Sequence, residues 1–211
     1  MKKQLLLIIV LFSTLNILKA QNFSGGAKLG VNFSTITEQA DASSRVGLQA
    51  GVFAVYSIIS NFGVSGELLY SGEGSKYNYT ESGANVNGLV KLNYLRIPLL
   101  ANVFFGDQGN NIRPKIFLGP NFGFLLASKT ELDVNGNETS TDSKDNFNGF
   151  DLSALVGAGV NIKIADRRWL NVDARYNIGA SDIRKDNPLN TDAVKNQGFS
   201  LSLGLAFGFG E

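Results

Sequence analysis

The 211-residue sequence contains no cysteine and no histidine. Without thiols there is no disulfide framework and no cysteine to carry a lipoprotein anchor. Without imidazole as well, nucleophile–base pairs that depend on Cys or His cannot be assembled. A carboxylate pair such as Glu67 with Asp173 is the acid–base option left, and both have cations close to them in the pattern below, so the expectation is a protein that is not an enzyme. Proline is also scarce, 4 residues against 24 glycines and 15 phenylalanines, a balance that suits many strands joined by turns. No apolar run beyond Phe12 is long enough to cross a bilayer as a helix. An excess of positive charge is absent too, so nothing asks for nucleic acid.

Positive charge does gather at the very start. Lys2 and Lys3 precede the apolar run Leu5 to Phe12, and polar Ser13, Thr14 and Asn16 lead to Leu18-Lys19-Ala20 before Gln21. That is the order of a secretory signal peptide, with the h-region too short to span a membrane. Residues 1–20 are expected to be removed, leaving one domain, residues 21–211, with 16 basic and 18 acidic residues and a formal charge of −2.

The most informative stretch is the last, Gly198 to Gly210. Phe199, Leu201, Leu203, Leu205, Phe207 and Phe209 alternate with Ser, Gly or Ala at every position between them. Only a β-strand turns a two-residue period into two faces. Here one face is large and apolar and the other is small and uncharged, as expected for lipid outside and a confined lumen within. The same alternation recurs from Phe23 to Ser34, Val46 to Ser57, Phe62 to Ser71, Tyr94 to Phe105, Lys115 to Leu126, Leu152 to Ile164 and Leu170 to Gly179. Pro98 is unexpected inside such a strand and reads as a bulge; Pro114 and Pro120 suggest irregularity in the fifth strand.

The connections alternate in length. Thr35 to Arg45, Gly72 to Gly88, Ser128 to Gly149 and Ala180 to Gln197 are long and polar, whereas Ser60-Asn61, Gly106 to Asn111 and Ala165 to Arg168 are short. Eight strands of about 9–11 residues with this asymmetry predict an all-β, single antiparallel up-and-down transmembrane β-barrel, with short periplasmic turns and long extracellular loops. An exported soluble sandwich or lipocalin-like barrel is the competing architecture, and it explains the loop asymmetry poorly.

The Ala20-Gln21 junction, Tyr94-Leu95-Arg96-Ile97-Pro98-Leu99-Leu100, Phe117-Leu118-Gly119-Pro120 and the aromatic final strand resemble the porin-family, PorT-like outer-membrane β-barrel domain common in Bacteroidota, related in architecture to the OmpA membrane domain. The resemblance spans the mature chain. It implies residence in the outer membrane of a Gram-negative cell among its lipids, and insertion by the barrel-assembly machinery. Barrels of this kind often end on an aromatic residue; here Gly210-Glu211 follow Phe209, so Phe207 and Phe209 stand as the assembly signal.

Five charged residues, Lys28, Glu67, Arg96, Asp173 and Arg175, share the inward parity near strand middles and are expected to meet in the lumen, where buried charges must pair. Glu67 and Arg96 lie on neighbouring strands and are the expected pair. Such a network either fills the barrel as a plug or gates a small path, and a barrel of about eight strands favours the plug. No catalytic residue, cofactor or metal site is expected: Asp133 to Glu138 hints at a calcium loop, but its glycine falls at the fourth place and Lys144 occupies the twelfth. The role that remains is structural or surface interaction, with an extracellular ligand met through loops 128–149 and 180–197; the alternative is a small pore or export-related transport barrel.

Overall fold

A computed structural model describes residues 22–37, 42–81, 84–107, 109–185 and 193–209, so the signal peptide expected at 1–20 and the terminal Gly210-Glu211 lie outside the described residues. Nine strands form one antiparallel sheet: β1 (Phe23–Ile36), β2 (Ala42–Ile59), β3 (Phe62–Glu81), β4 (Ala84–Phe104), β5 (Ile112–Val134), β6 (Asn137–Asp142), β7 (Phe150–Ala165), β8 (Arg168–Gly179) and β9 (Asn196–Phe209). Each neighbour in the ring follows in sequence, β4 pairs with β5, and β9 returns to β1. Eight strands thus close a barrel, and β6 is added to the outer end of β5 alone.

The alternation decides which face points out. Leu29 is 66% exposed, Leu48 69% and Leu118 63%, while the residues between them turn inward. Such exposure would be ruinous in water and is what a lipid-facing wall requires. Aromatic pairs bound the apolar belt: Phe23 meets Phe209 with ring centroids 5.6 Å apart near one rim, and Phe33 meets Phe199 at 6.5 Å near the other. Ten residues of β1 separate these pairs; at about 3.3 Å per residue and a tilt of roughly 40° they span ~25 Å, the height of a transmembrane belt.

The strands run further than the alternation suggests. Residues Gly72 to Gly88, expected as a loop, are largely the continuation of β3 and β4, paired as Gly74 with Lys91 and Tyr77 with Gly88. Within 128–149, β5 continues to Val134, turns at Asn135-Gly136 and returns as β6. Both turn residues have positive φ (52° and 87°), the two-residue hairpin geometry that Asn-Gly favours. The Asp133 to Glu138 run is therefore a hairpin. Likewise β1 and β2 take up much of 35–45. Beyond the bilayer the outer face meets water, so Gly72 to Gly88 lacks the lipid-facing apolar period and is held by ladder hydrogen bonds and cross-strand pairs, while Glu73, Ser75 and Val86 stay buried on the inner side.

Pro98 is not a bulge: the β4–β5 register is the same on both sides of it, with Pro98 opposite Asn121 and Ala101 opposite Leu118, and the shift occurs at Asn93/Tyr94 instead. Nor do Pro114 and Pro120 disturb β5, whose register with β7 is continuous from Ile112 to Phe124. A proline removes one donor without adding a residue, so it thins a ladder and leaves its register alone.

Candidate functional site: two charged layers and an apolar cap

Closing the ring brings inward side chains from distant strands together. Toward the short turns, Lys28 of β1 donates from Nζ to Glu67 Oε1 of β3 (2.8 Å) and Asp173 Oδ2 of β8 (3.0 Å). Arg175 of β8 grips Glu67 with both terminal nitrogens, each at 2.7 Å, and reaches Asp173 Oδ2 at 3.1 Å. Lys115 of β5 pairs with Asp173 Oδ1 at 2.9 Å. Aromatic faces complete the layer: Lys28 lies over Phe53 at 4.9 Å, and Lys115 and Arg175 over Phe117 at 5.2 and 5.3 Å.

A second layer sits nearer the long loops. Arg96 of β4 donates to Glu73 of β3 through Nε (2.9 Å) and Nη2 (2.5 Å), a bidentate fork, and pairs with Asp151 Oδ2 of β7 at 2.6 Å. Glu73 also accepts from Ser71 Oγ at 2.7 Å and from the Asn196 amide. Asp151 accepts from Ser181 Oγ at 2.9 Å. The eight ion-paired residues of the two layers carry four positive and four negative charges, so together they can be buried without a net charge.

Four of the five expected residues, Lys28, Glu67, Asp173 and Arg175, come together in the first layer. Arg96 does not join them, and the expected Glu67–Arg96 pair is corrected: Arg96 lies opposite Leu69 in the β3–β4 register and turns to Glu73 and Asp151. Adjacent strands and shared parity put two residues on one wall without putting them at one height. Three members had been missed. Lys115 carries the inward parity openly, two residues before Phe117 on the same face; Glu73 falls in a segment with no lipid-facing period; Asp151 stands at the very start of its strand.

Inward glycines make the room. A Cβ on Gly123 would stand 2.3 Å from Arg96 Nη1, directly across the β4–β5 pairing, and one on Gly159 would stand 2.3 Å from Asp173 Oδ1. Gly123→Ala is expected to cost about 1–3 kcal/mol by overpacking a filled site, while Gly149→Ala, with nothing within 4 Å, should stay within about 0.5 kcal/mol of wild type. Reversible unfolding in lipid is the measurement; equal costs would show that Gly123 is not shaped to Arg96.

Above the second layer, apolar side chains pack together at the long-loop end of the barrel. Ile36, Val90, Leu92, Tyr94, Leu125, Ile183 and Val194 form one buried cluster, with Tyr77 and Phe147 against it. Ile183 and Val194 belong to the 180–197 segment and Phe147 to 128–149, so both segments reach back onto the barrel. They are also joined to each other: Asn148 N donates to Ile183 O at 2.8 Å and Lys185 N to Asn146 O at 3.0 Å. Residues 186–192 lie outside the described residues. Space along the lumen is uneven, about 240 Å³ on the short-turn side of the first layer and about 40 Å³ between the layers. Phe207 and Phe209, the expected assembly signal, face outward at the short-turn rim, opposite Gly25 and Phe23 of β1.

Comparison with known proteins bears on this arrangement. Residues 19–185 match a family described as outer membrane protein beta-barrel domain. Among solved structures, the outer membrane protein OprG from Pseudomonas aeruginosa is similar with a TM-score of 0.53 at 14% identity, over 92% of this chain and 98% of that one. Neisserial surface protein A is similar with a TM-score of 0.51 at 20% identity, over 89% and 97%. At these identities the likeness is one of fold. None of the curated proteins matches the chain.

Proposed function

The chain belongs to the outer membrane protein β-barrel domain family and is an integral protein of the outer membrane, and from that premise we propose that it is a non-enzymatic barrel with a side-chain-plugged lumen that serves a structural or surface-interaction role. The observation that carries the plug is the stacking of a neutral, fully ion-paired pair of layers under an apolar cap, with only about 40 Å³ of space between the layers. The non-enzymatic reading is supported by the lack of His and Cys and by carboxylates already engaged with cations. The surface role is supported by strands β3 to β6, which extend about ten residues beyond the aromatic rim at Tyr70 and Phe124, and by the 128–149 and 180–197 segments stitched together beside them. An extracellular ligand would meet the protein there. The PorT-like placement within Bacteroidota, export through a cleaved signal peptide at 1–20, and recognition of Phe207 and Phe209 during assembly belong to the same proposal.

A small pore or export-related transport barrel is the second reading, favoured by the polar cavity on the short-turn side. Planar-bilayer conductance of the purified protein separates the two. The plug requires negligible steady current in the wild type and a rise when Arg96 or Glu73 is replaced. Steady unit steps in the wild type would overturn it and put the transport reading in its place.

A further inference from the structure

The cavity of about 240 Å³ opens on the short-turn, periplasmic side, and its wall includes Lys28, Glu67, Arg113, Lys115, Trp169 and Arg175. Four of these are cations, and the carboxylates that reach them are Glu67 and Asp173. The six charged groups, Asp173 included, therefore carry a formal charge of +2. Arg113 is the source of much of the excess. It is 8% exposed and in no ion pair among the described residues; it donates to the Ser60 carbonyl and lies over the Phe104 ring at 4.8 Å, while its Nε is buried without a hydrogen bond. The acid that acts on it from outside is Asp107, on an exposed turn where water screens the charge. One of these two positive charges is balanced by the upper layer, where Arg96, Glu73 and Asp151 sum to −1, so with Arg113 the interior carries one positive charge in excess, which favours a counter-anion.

We propose that this periplasm-facing vestibule is a binding site for a small phosphate-bearing anion, held by Arg113 and Lys115 with Lys28 and Arg175 behind them. A phosphate group supplies the negative charge that the vestibule's cations lack, and the space of about 240 Å³ exceeds the ~150 Å³ that admits a benzene. This site is independent of whether the lumen conducts, since the occupant enters and leaves by one mouth.

Trp169 makes the site readable, because it is the chain's one tryptophan and it lines the cavity. In nanodiscs of zwitterionic lipid, iodide is expected to quench Trp169 at least about tenfold more efficiently than caesium, and inorganic phosphate at pH 8 to protect it saturably at concentrations where chloride does not. Arg113→Gln combined with Lys115→Gln should abolish both effects, whereas Lys115→Arg should retain them; far-UV circular dichroism and heat-modifiable gel mobility verify that each variant is folded. Equal quenching by iodide and caesium would overturn the proposal, as would protection by chloride at the same concentration as phosphate, which would reduce the vestibule to a diffuse counter-ion well. Should the double variant fail to fold, the ion preference and phosphate protection of the wild type and of Lys115→Arg still decide the matter.

Discussion

Replacing Arg96 by alanine is expected to destabilise the barrel by about 3–5 kcal/mol, the cost of leaving buried charges without a partner. Arg96 is the single cation ion-paired to Glu73 and Asp151 among the described residues, so its loss strands two carboxylates in a wall 2% exposed at that point. The lower layer behaves differently. Glu67→Ala leaves Asp173 to serve Lys28 and Arg175, so its cost should be smaller. A double-mutant cycle sharpens the claim: Glu73 with Arg96 should show a coupling energy of about 0.5–3 kcal/mol, whereas Glu67 with Arg96, which share no partner, should be additive within about 0.5 kcal/mol. Urea unfolding into lipid vesicles supplies the energies. A cost below about 1 kcal/mol for Arg96→Ala, or equal coupling in the two cycles, would dissolve the upper layer as a unit.

The outer wall carries the second large effect. Leu203 of β9 is 56% exposed and lies between Leu29 of β1 and Val172 of β8, midway between the two aromatic rims. Leu203→Arg is expected to cost about 2–4 kcal/mol because it places a charge at the centre of the hydrocarbon, whereas Ile59→Arg, beside the short turn at Ser60-Asn61, should cost about 0–1 kcal/mol. The same unfolding assay, run in lipid, reads both. Matching costs at the two depths would mean that Leu203 does not face acyl chains.

Lipid contact and lumen pairing leave different traces in the amino-acid sequence. The lipid face was readable because a bilayer imposes a strict two-residue period: Phe199 to Phe209 can be apolar at every second position only if one side meets hydrocarbon throughout. Where the strands leave the bilayer that constraint ends, and with it the signal. Gly72 to Gly88 therefore looked like a loop although it is paired strand, and Glu73, lying within it, dropped out of the expected network. The prolines misled for a related reason, since a missing donor is visible in sequence while the pairing that tolerates it is not.

What the amino-acid sequence determined by itself is the local periodicity: which residues face lipid, which face the lumen, how many strands the ring holds and on which side the long connections lie. Parity is a property of one strand and needs no neighbour to define it. Which lumen charges pair was decided only by tertiary structure. Lys28 and Asp173 are 145 residues apart in sequence and meet because ring closure and strand stagger bring them to one height across a narrow interior. The same closure lifts Arg96 away from Glu67 to Glu73 and Asp151, and folds Ile183 and Val194 over the mouth. Coulomb attraction falls with distance and dielectric, so a partner is chosen by geometry in three dimensions, which a pattern along one strand does not contain.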